Sequence, residues 1–231
     1  MKNTQIRTYL ENQQIKQHEK EMIEYLKTDF HSDDIFSVLD IGCATGKLIS
    51  LIKENFPKAK GHGFDISKDL ILHAQNRNLN DCDFFTADML TYAPSHNFDL
   101  LMASGVLSIF DDFREPLLKW LDWMKQDGLL YVYGRFNSMN IDTKISFRNN
   151  KVGNPNWENG LTSYSVETVK NFLTEKGYTA NFKRFYLKIN ISEHEDPIPT
   201  YTKITQDGER IVMNGANTIA EHYFLKIERS T

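Results

Sequence analysis

The segment Val38-Leu-Asp-Ile-Gly-Cys-Ala-Thr-Gly46 places an acidic residue two positions before one glycine and a second glycine four positions after that. Gly42 lets the backbone turn sharply and approach a ligand, and Gly46 removes a side chain at the entry to a helix. Asp65 stands 23 residues after Gly42, at the end of the next apolar run, where a carboxylate can accept hydrogen bonds from both hydroxyls of a ribose. Asp88 follows after another 23 residues, within reach of the exocyclic amine of an adenine. Taken singly, such a glycine reads as a turn and such an aspartate as a helix cap. Three of them at successive strand ends, along one edge of a sheet, point to a nucleoside pocket.

These residues need strands that end together and helices that start there. Phe36-Ser-Val-Leu-Asp-Ile41 is a β-rich run, and Leu48, Ile49, Ile52 and Phe56 then recur at helical spacing up to Pro57. Strands are expected at 61–65, 83–87 and 98–103. Helices are expected at Ser67 onward, which Ser67 can cap, and over 113–126. Leu129 to Tyr133 is apolar throughout, as in a strand buried on both faces. This alternation predicts a doubly wound α/β sheet. Residues 5–27 read as a surface helix with an imperfect apolar stripe. Seven asparagines fall within 137–160, which reads as a long loop. A helix from Ser165 to a stop at Gly177, a strand over 180–189, a hairpin across Gln206-Asp-Gly208 and a half-exposed edge strand at 223–228 complete the chain.

Within this order the chain resembles the class I S-adenosylmethionine-dependent methyltransferases. Their acid-x-Gly-x-Gly-x-Gly run corresponds to Asp40-Ile-Gly42-Cys-Ala44-Thr-Gly46, with Ala44 in place of the middle glycine. Asp65 matches the family's ribose-binding acid, Ala87-Asp88-Met89 its adenine-contacting segment, and Asp127 to Tyr133 its fifth strand. The resemblance covers residues 36–136 well. It implies S-adenosylmethionine as cofactor, with S-adenosylhomocysteine as product and no metal. The cofactor site it implies comprises Asp40, Gly42, Cys43, Ala44, Gly46, Asp65, Ile66, Ala87, Asp88 and Met89, with Ser104 and Gly105 near the methionine part. It also implies a mostly parallel seven-stranded sheet, the last strand antiparallel and inserted beside the fifth. The expected organisation is a single methyltransferase domain over 1–231. Its parts are an N-terminal helix within 1–30, a cofactor-binding core at 36–136 and a lid from the inserts at 137–163 and 190–220.

An antiparallel last strand begins at the edge where the parallel strands end, so His222 is the first candidate for a base and His194 the second. The plainer role for His222 is packing at a strand end. Arg135 and Arg148 are candidates for holding an anionic acceptor group, and Trp157 with Tyr164 for an apolar wall beside it. Each has an ordinary alternative as a solvated or loop-anchoring side chain. Trp120 and Trp123 read as packing residues, and Cys43 as a small filler.

Composition narrows the acceptor. In 231 residues, 27 Lys+Arg face 31 Asp+Glu, a net charge of −4, and no basic stripe interleaved with aromatics is evident. That argues against a nucleic-acid partner. Ala103-Ser-Gly-Val106 stands where amino-methylating DNA enzymes carry Asp/Asn-Pro-Pro-Tyr/Phe. Two cysteines make neither a disulfide framework nor a four-thiolate zinc site, and no His/Cys cluster has metal-ligand spacing. The polar N-terminus and the short apolar run Leu100 to Phe110 predict no signal peptide and no membrane span, hence a cytoplasmic protein. A small-molecule acceptor is therefore expected, O-methylation ahead of N-methylation, with the asparagine-rich insert favouring a hydroxylated or sugar-like molecule. The alternatives are a nicotinamide-dependent oxidoreductase, which Lys47 in place of its third glycine disfavours, and a non-catalytic cofactor-binding relative. The oligomeric state is left open.

Overall fold

The computed structural model describes residues 6, 9–11, 14–150, 153, 156–193 and 199–230. The first long helix, α1 (Gln17–Leu26), leads into β1 (Ser37–Ile41), α2 (Lys47–Asn55), β2 (Lys60–Asp65), α3 (Lys68–Gln75), β3 (Cys82–Thr86) and β4 (Phe98–Ser104). A short 3-10 turn at Leu107–Ile109 precedes α4 (Arg114–Asp122), β5 (Met124–Asn137), β6 (Thr143–Phe147) and β7 (Glu158–Ser165). The chain continues with α5 (Val166–Glu175), β8 (Tyr178–Phe185), β9 (Tyr201–Ile204), β10 (Arg210–Met213) and β11 (His222–Arg229).

The main sheet runs β3-β2-β1-β4-β5-β11-β8. β11 is antiparallel to both neighbours, pairing His222 with Arg135 and with Phe185, while β1 to β5 pair in parallel. Period-2 alternation sorts the core into two layers. Val38, Leu100, Met102, Tyr131, Tyr133 and Phe224 pack under Met22, Ile23 and Leu26 of α1 and Leu48, Ile49 and Ile52 of α2. Leu39, Ile41, Leu101, Ala103, Leu130, Val132, Leu225 and Ile227 face Leu117, Trp120 and Leu121 of α4 and Val169 and Leu173 of α5. Trp120 and Trp123 are buried packing residues, as expected.

Five expectations change. The helix predicted over 5–27 is broken around Gln14–Lys16. The Lys16 N–H donates to the Glu19 carboxylate at 2.6 Å and Lys47 Nζ donates to the Gln14 carbonyl at 2.6 Å, so the groups freed by the break find partners. The helix predicted to 126 stops at Asp122. Phe98 N–H donates to the Trp123 carbonyl and Met124 pairs with Phe98, so the sheet captures those residues. The asparagine-rich segment is not structureless. β6 and β7 form an antiparallel ribbon there, and β7 pairs with the end of β5 through Phe136–Tyr164 and Asn137–Ser165. That ribbon extends the seven-strand order to nine strands. Finally, β11 is no edge strand, since it lies between β5 and β8 with Tyr223, Phe224, Leu225 and Ile227 buried. Its alternation reflects two unequal layers of cover. The 200–213 hairpin forms as expected, from β9 and β10.

Candidate functional site

The carboxyl ends of β1, β2 and β4 meet at the loop 42–46. Gly42, Ala44 and Gly46 all take left-handed backbone, at φ of +73°, +47° and +69°. Gly46 has a second constraint. A Cβ there would lie 2.8 Å from the Phe84 ring and 3.0 Å from the Ala74 Cβ, so α2 packs closely on the sheet only through glycine. At Gly42 a Cβ would lie 2.6 Å from Val106 Cγ1. The Phe64 carbonyl accepts from both the Gly42 and Cys43 N–H groups at 2.9 Å, tying this loop to the end of β2.

Asp65 organises the junction. Its Oδ2 accepts from the Ala44 N–H at 3.1 Å and its Oδ1 from the Ser67 N–H at 2.9 Å. Ala87 N–H in turn donates to the Asp65 carbonyl at 3.0 Å, which brings the Ala87-Asp88-Met89 segment alongside. Asp88 is half-buried and its Oδ1 accepts from the Leu90 N–H at 2.8 Å. Ile66, directly after Asp65, is 57% exposed, an apolar face left open at the strand end. Met89 Cε lies 3.8 Å from the position a Gly42 Cβ would occupy. At the end of β4, Ser104 is half-buried and Gly105 is exposed with φ +76°.

Asp40 is buried, and among the described residues its carboxyl makes no hydrogen bond or ion pair. Burial first, then Glu19 and Asp65, push its pKa up to about 8. A buried acid of this kind is suited to a ligand that brings positive charge. Cys43 is buried too, and burial with the neighbouring Asp40 and Asp65 holds its thiol well above the usual range, consistent with a filler.

A second cluster forms where β5 ends and β11 begins. His222 stands across the strands from Arg135, on the same face as Tyr133. Tyr133 stacks on His222 at 5.6 Å and, closer, on His18 of α1 at 4.1 Å and 3°. Burial, then Arg135, lowers the His222 pKa to about 4, so the imidazole is neutral near pH 7. Arg135 is itself buried, and desolvation lowers its pKa to about 10.

The remaining candidates are not brought to this cluster. Tyr164 lies in the core, its hydroxyl donating to the Phe110 carbonyl and its ring edge-on to Phe113, so it fastens β7 to the 3-10 turn. Trp157 is 68% exposed, with the Arg148 guanidinium over its ring at 5.5 Å. The wall expected from Trp157 and Tyr164 is therefore absent, because β7 turns Tyr164 inward while Trp157, just before the strand, stays at the surface. His194 lies outside the described residues. Sequence reading missed His18, Tyr133 and Glu19. Glu19 is nearly buried and pairs with Lys47 at 3.4 Å, and Lys47 opens α2. The only trace in the sequence was that His18 and Glu19 interrupt the apolar stripe of α1.

Among the described residues no group of three or more His, Cys, Asp or Glu is placed to hold a metal, and no helix is long and apolar enough to cross a membrane. Residues 39–130 match a family profile described as a methyltransferase domain. The malonyl-(acyl-carrier protein) O-methyltransferase 2 of Ilyobacter polytropus is 26% identical over 173 residues, covering 74% of this chain and 64% of that protein. The trans-aconitate 2-methyltransferase of Azoarcus sp. is 29% identical over 100 residues, covering 43% and 39%. This chain thus spans less than two thirds of the length of these curated relatives. Among solved structures, a DhpI complex with S-adenosylhomocysteine superposes with a TM-score of 0.58 at 12% identity, over 90% of this chain and 82% of that one. CalS10, an amino pentose methyltransferase with bound S-adenosylmethionine, gives 0.59 at 14% identity, over 93% and 92%. The left-handed loop after β1, the carboxylates that flank it and the strand order accompany these likenesses: residues 39–130 match a methyltransferase domain, and the chain shares the fold of S-adenosylmethionine-dependent methyltransferases of known structure.

Proposed function

We propose that this protein transfers a methyl group from S-adenosylmethionine to a small-molecule acceptor, with oxygen as the methylated atom. The observation that carries the reading is the unpartnered, buried Asp40 beside the loop of three left-handed residues, with Asp65 at the next strand end. S-adenosylmethionine fits these residues because it brings an ammonium and a sulfonium to a buried acid and a ribose to a carboxylate. It supplies an activated methyl group when bound. In this reading Asp40 holds the cationic amino acid end, the backbone of 42–46 cradles the middle, Asp65 receives the ribose hydroxyls, and Ile66, Ala87, Asp88 and Met89 enclose the adenine. Ser104 and Gly105 border the methionine part. The chain's own contribution to catalysis is alignment, because methyl transfer gains chiefly from an in-line approach.

The acceptor side is assigned to the β6–β7 ribbon within 137–163 and to the 190–220 insert that contains the β9–β10 hairpin, together acting as a lid on one domain. Both leave the sheet near the edge where β5 ends. Support for oxygen comes from the O-methyltransferase name of the Ilyobacter relative, and a hydroxylated acceptor suits the polar ribbon. Titration calorimetry with S-adenosylmethionine and S-adenosylhomocysteine tests the cofactor assignment, and folded protein that binds neither would refute it. Incubation with methyl-labelled cofactor and a panel of small hydroxy acids, sugars and amines tests the acceptor. Label appearing only on amine nitrogens would overturn the preference for oxygen.

A further inference from the structure

Arg135 is 93% buried, on 7% residual exposure, yet among the described residues its guanidinium has no hydrogen bond and no ion pair. Its nitrogens are not among the fully enclosed unpaired atoms, so the fork of up to five donors keeps an opening to solvent at a largely desolvated site, through which an anion can reach it. Glu21 of α1 faces Tyr133 but pairs with Gln17 and Lys188, and no carboxylate acts on Arg135 itself. Tyr133 and His222 flank it, one a phenol held protonated by burial and the other a neutral imidazole. The nearest acid in sequence across the pairing, Glu221, turns instead to Arg184 at 2.8 Å and to the Ser138 N–H at 3.0 Å. Lys16 and Lys47, on the helix side of the cluster, add positive charge rather than negative near His18. Arg135 also sits at the carboxyl end of β5, where the parallel strands end and both inserts depart.

We infer that Arg135 is the anion-binding residue of the acceptor site, and that the acceptor carries a carboxylate or phosphate group held by this guanidinium between Tyr133 and His222. The inference rests on the methyltransferase reading and names its substrate class. Planar or tetrahedral oxyanions both match the fork geometry. A neutral His222 can add a hydrogen bond to the same group without a second cation to desolvate. The arrangement also explains why a strong base is dispensable: an acceptor oxygen that is already ionised has no proton to lose, and an imidazole with so low a basicity is a weak proton acceptor.

The test titrates malonate, phosphate and neutral malonamide into wild-type protein, R135K and R135M, each with and without S-adenosylhomocysteine. Expected is binding of malonate or phosphate at least tenfold tighter than malonamide in the wild type, partly kept in R135K and lost in R135M, with equal S-adenosylhomocysteine affinity in all three. The tighter of the two anions tells carboxylate from phosphate. Equal binding of all three probes, no binding of any, or an anion preference that survives in R135M overturns the assignment. So does a tenfold loss of S-adenosylhomocysteine affinity in R135M, which would place Arg135 on the cofactor. Failure of the wild type to bind S-adenosylhomocysteine refutes the methyltransferase reading instead, while the anion titrations are read independently. Nuclear magnetic resonance of labelled His222 covers the case in which R135M does not fold. Saturating malonate or phosphate should raise the His222 pKa in the wild type, and an unmoved titration curve would refute the pairing.

Discussion

Replacing Asp40 with asparagine in the unliganded protein should change how stability depends on pH. The carboxyl titrates near 3.8 when unfolded and at about 8 in the native protein. Between those values the folded state holds a proton that the unfolded state has released, so stability falls as pH rises. One such group contributes about 1.4 kcal/mol per pH unit, or about 4 kcal/mol from pH 5 to pH 8. His18 and His222 act in the opposite sense: their folded pKa values are depressed, so they cost nothing above the ordinary histidine range and destabilise the native state as pH falls below it. Wild-type stability alone would mix these slopes. The difference between D40N and wild type cancels the histidines, along with any constant cost of the amide. Urea unfolding of both proteins at pH 5, 6, 7 and 8 measures it. D40N should gain on the wild type at each step, by about 4 kcal/mol in total. A difference that stays within about 1 kcal/mol over the range would show that Asp40 titrates normally, and would refute the buried unpaired acid.

The same acid makes cofactor affinity pH-dependent: S-adenosylmethionine should bind more tightly as pH rises from 6 to 8, by up to about tenfold per unit, in calorimetry of the wild type, and D40N should lose that trend. D65A removes charge-assisted hydrogen bonds worth about 1.5–3 kcal/mol, so the S-adenosylhomocysteine dissociation constant should rise roughly 10- to 150-fold. An unchanged constant would mean that Asp65 only ties Ala44 and Ser67. G46A combines left-handed strain of about 1–2 kcal/mol with a clash against Phe84, and chemical denaturation should show a loss of at least that size. A44G goes the other way. Relief of about 1–2 kcal/mol of strain at φ +47° is set against about 0.4–1 kcal/mol of extra unfolded-chain freedom, so stability should be unchanged or up to about 1.6 kcal/mol higher.

The cofactor half was legible because its signals are local. Asp40, Gly42 and Gly46 lie within seven residues, Asp65 ends β2, and Asp88 follows β3 by two residues. Even Ala44 declared its place, although its left-handed backbone did not show in the residue type. The acceptor side was legible only in outline because it is assembled from distant segments. His18 meets Tyr133 across 115 positions, a contact between helix and sheet that no spacing encodes. Tyr164 and Trp157 are seven residues apart in one strand region, yet one is core and the other surface. The asparagines of 137–160 were read as loop chemistry, but pairing of β7 with both β6 and β5 overrides that composition.

The placement of β11 has a consequence for the order in which the molecule can be made. Synthesis delivers β1 to β5 with their helices as a contiguous block whose strands already neighbour one another. β6, β7 and α5 follow, and then β8, but among the described strands the one sheet partner of β8 is β11, made some forty residues later. Until then the far edge of β5 over 130–135 and the whole of β8 are unpaired, a nascent intermediate with two open edges and the apolar face of α5 waiting beside them. Closure resembles a keystone being driven between two half-arches. Destabilising substitutions in β11 should therefore reduce yield during expression, through aggregation of that intermediate, more than they reduce the stability of the finished fold.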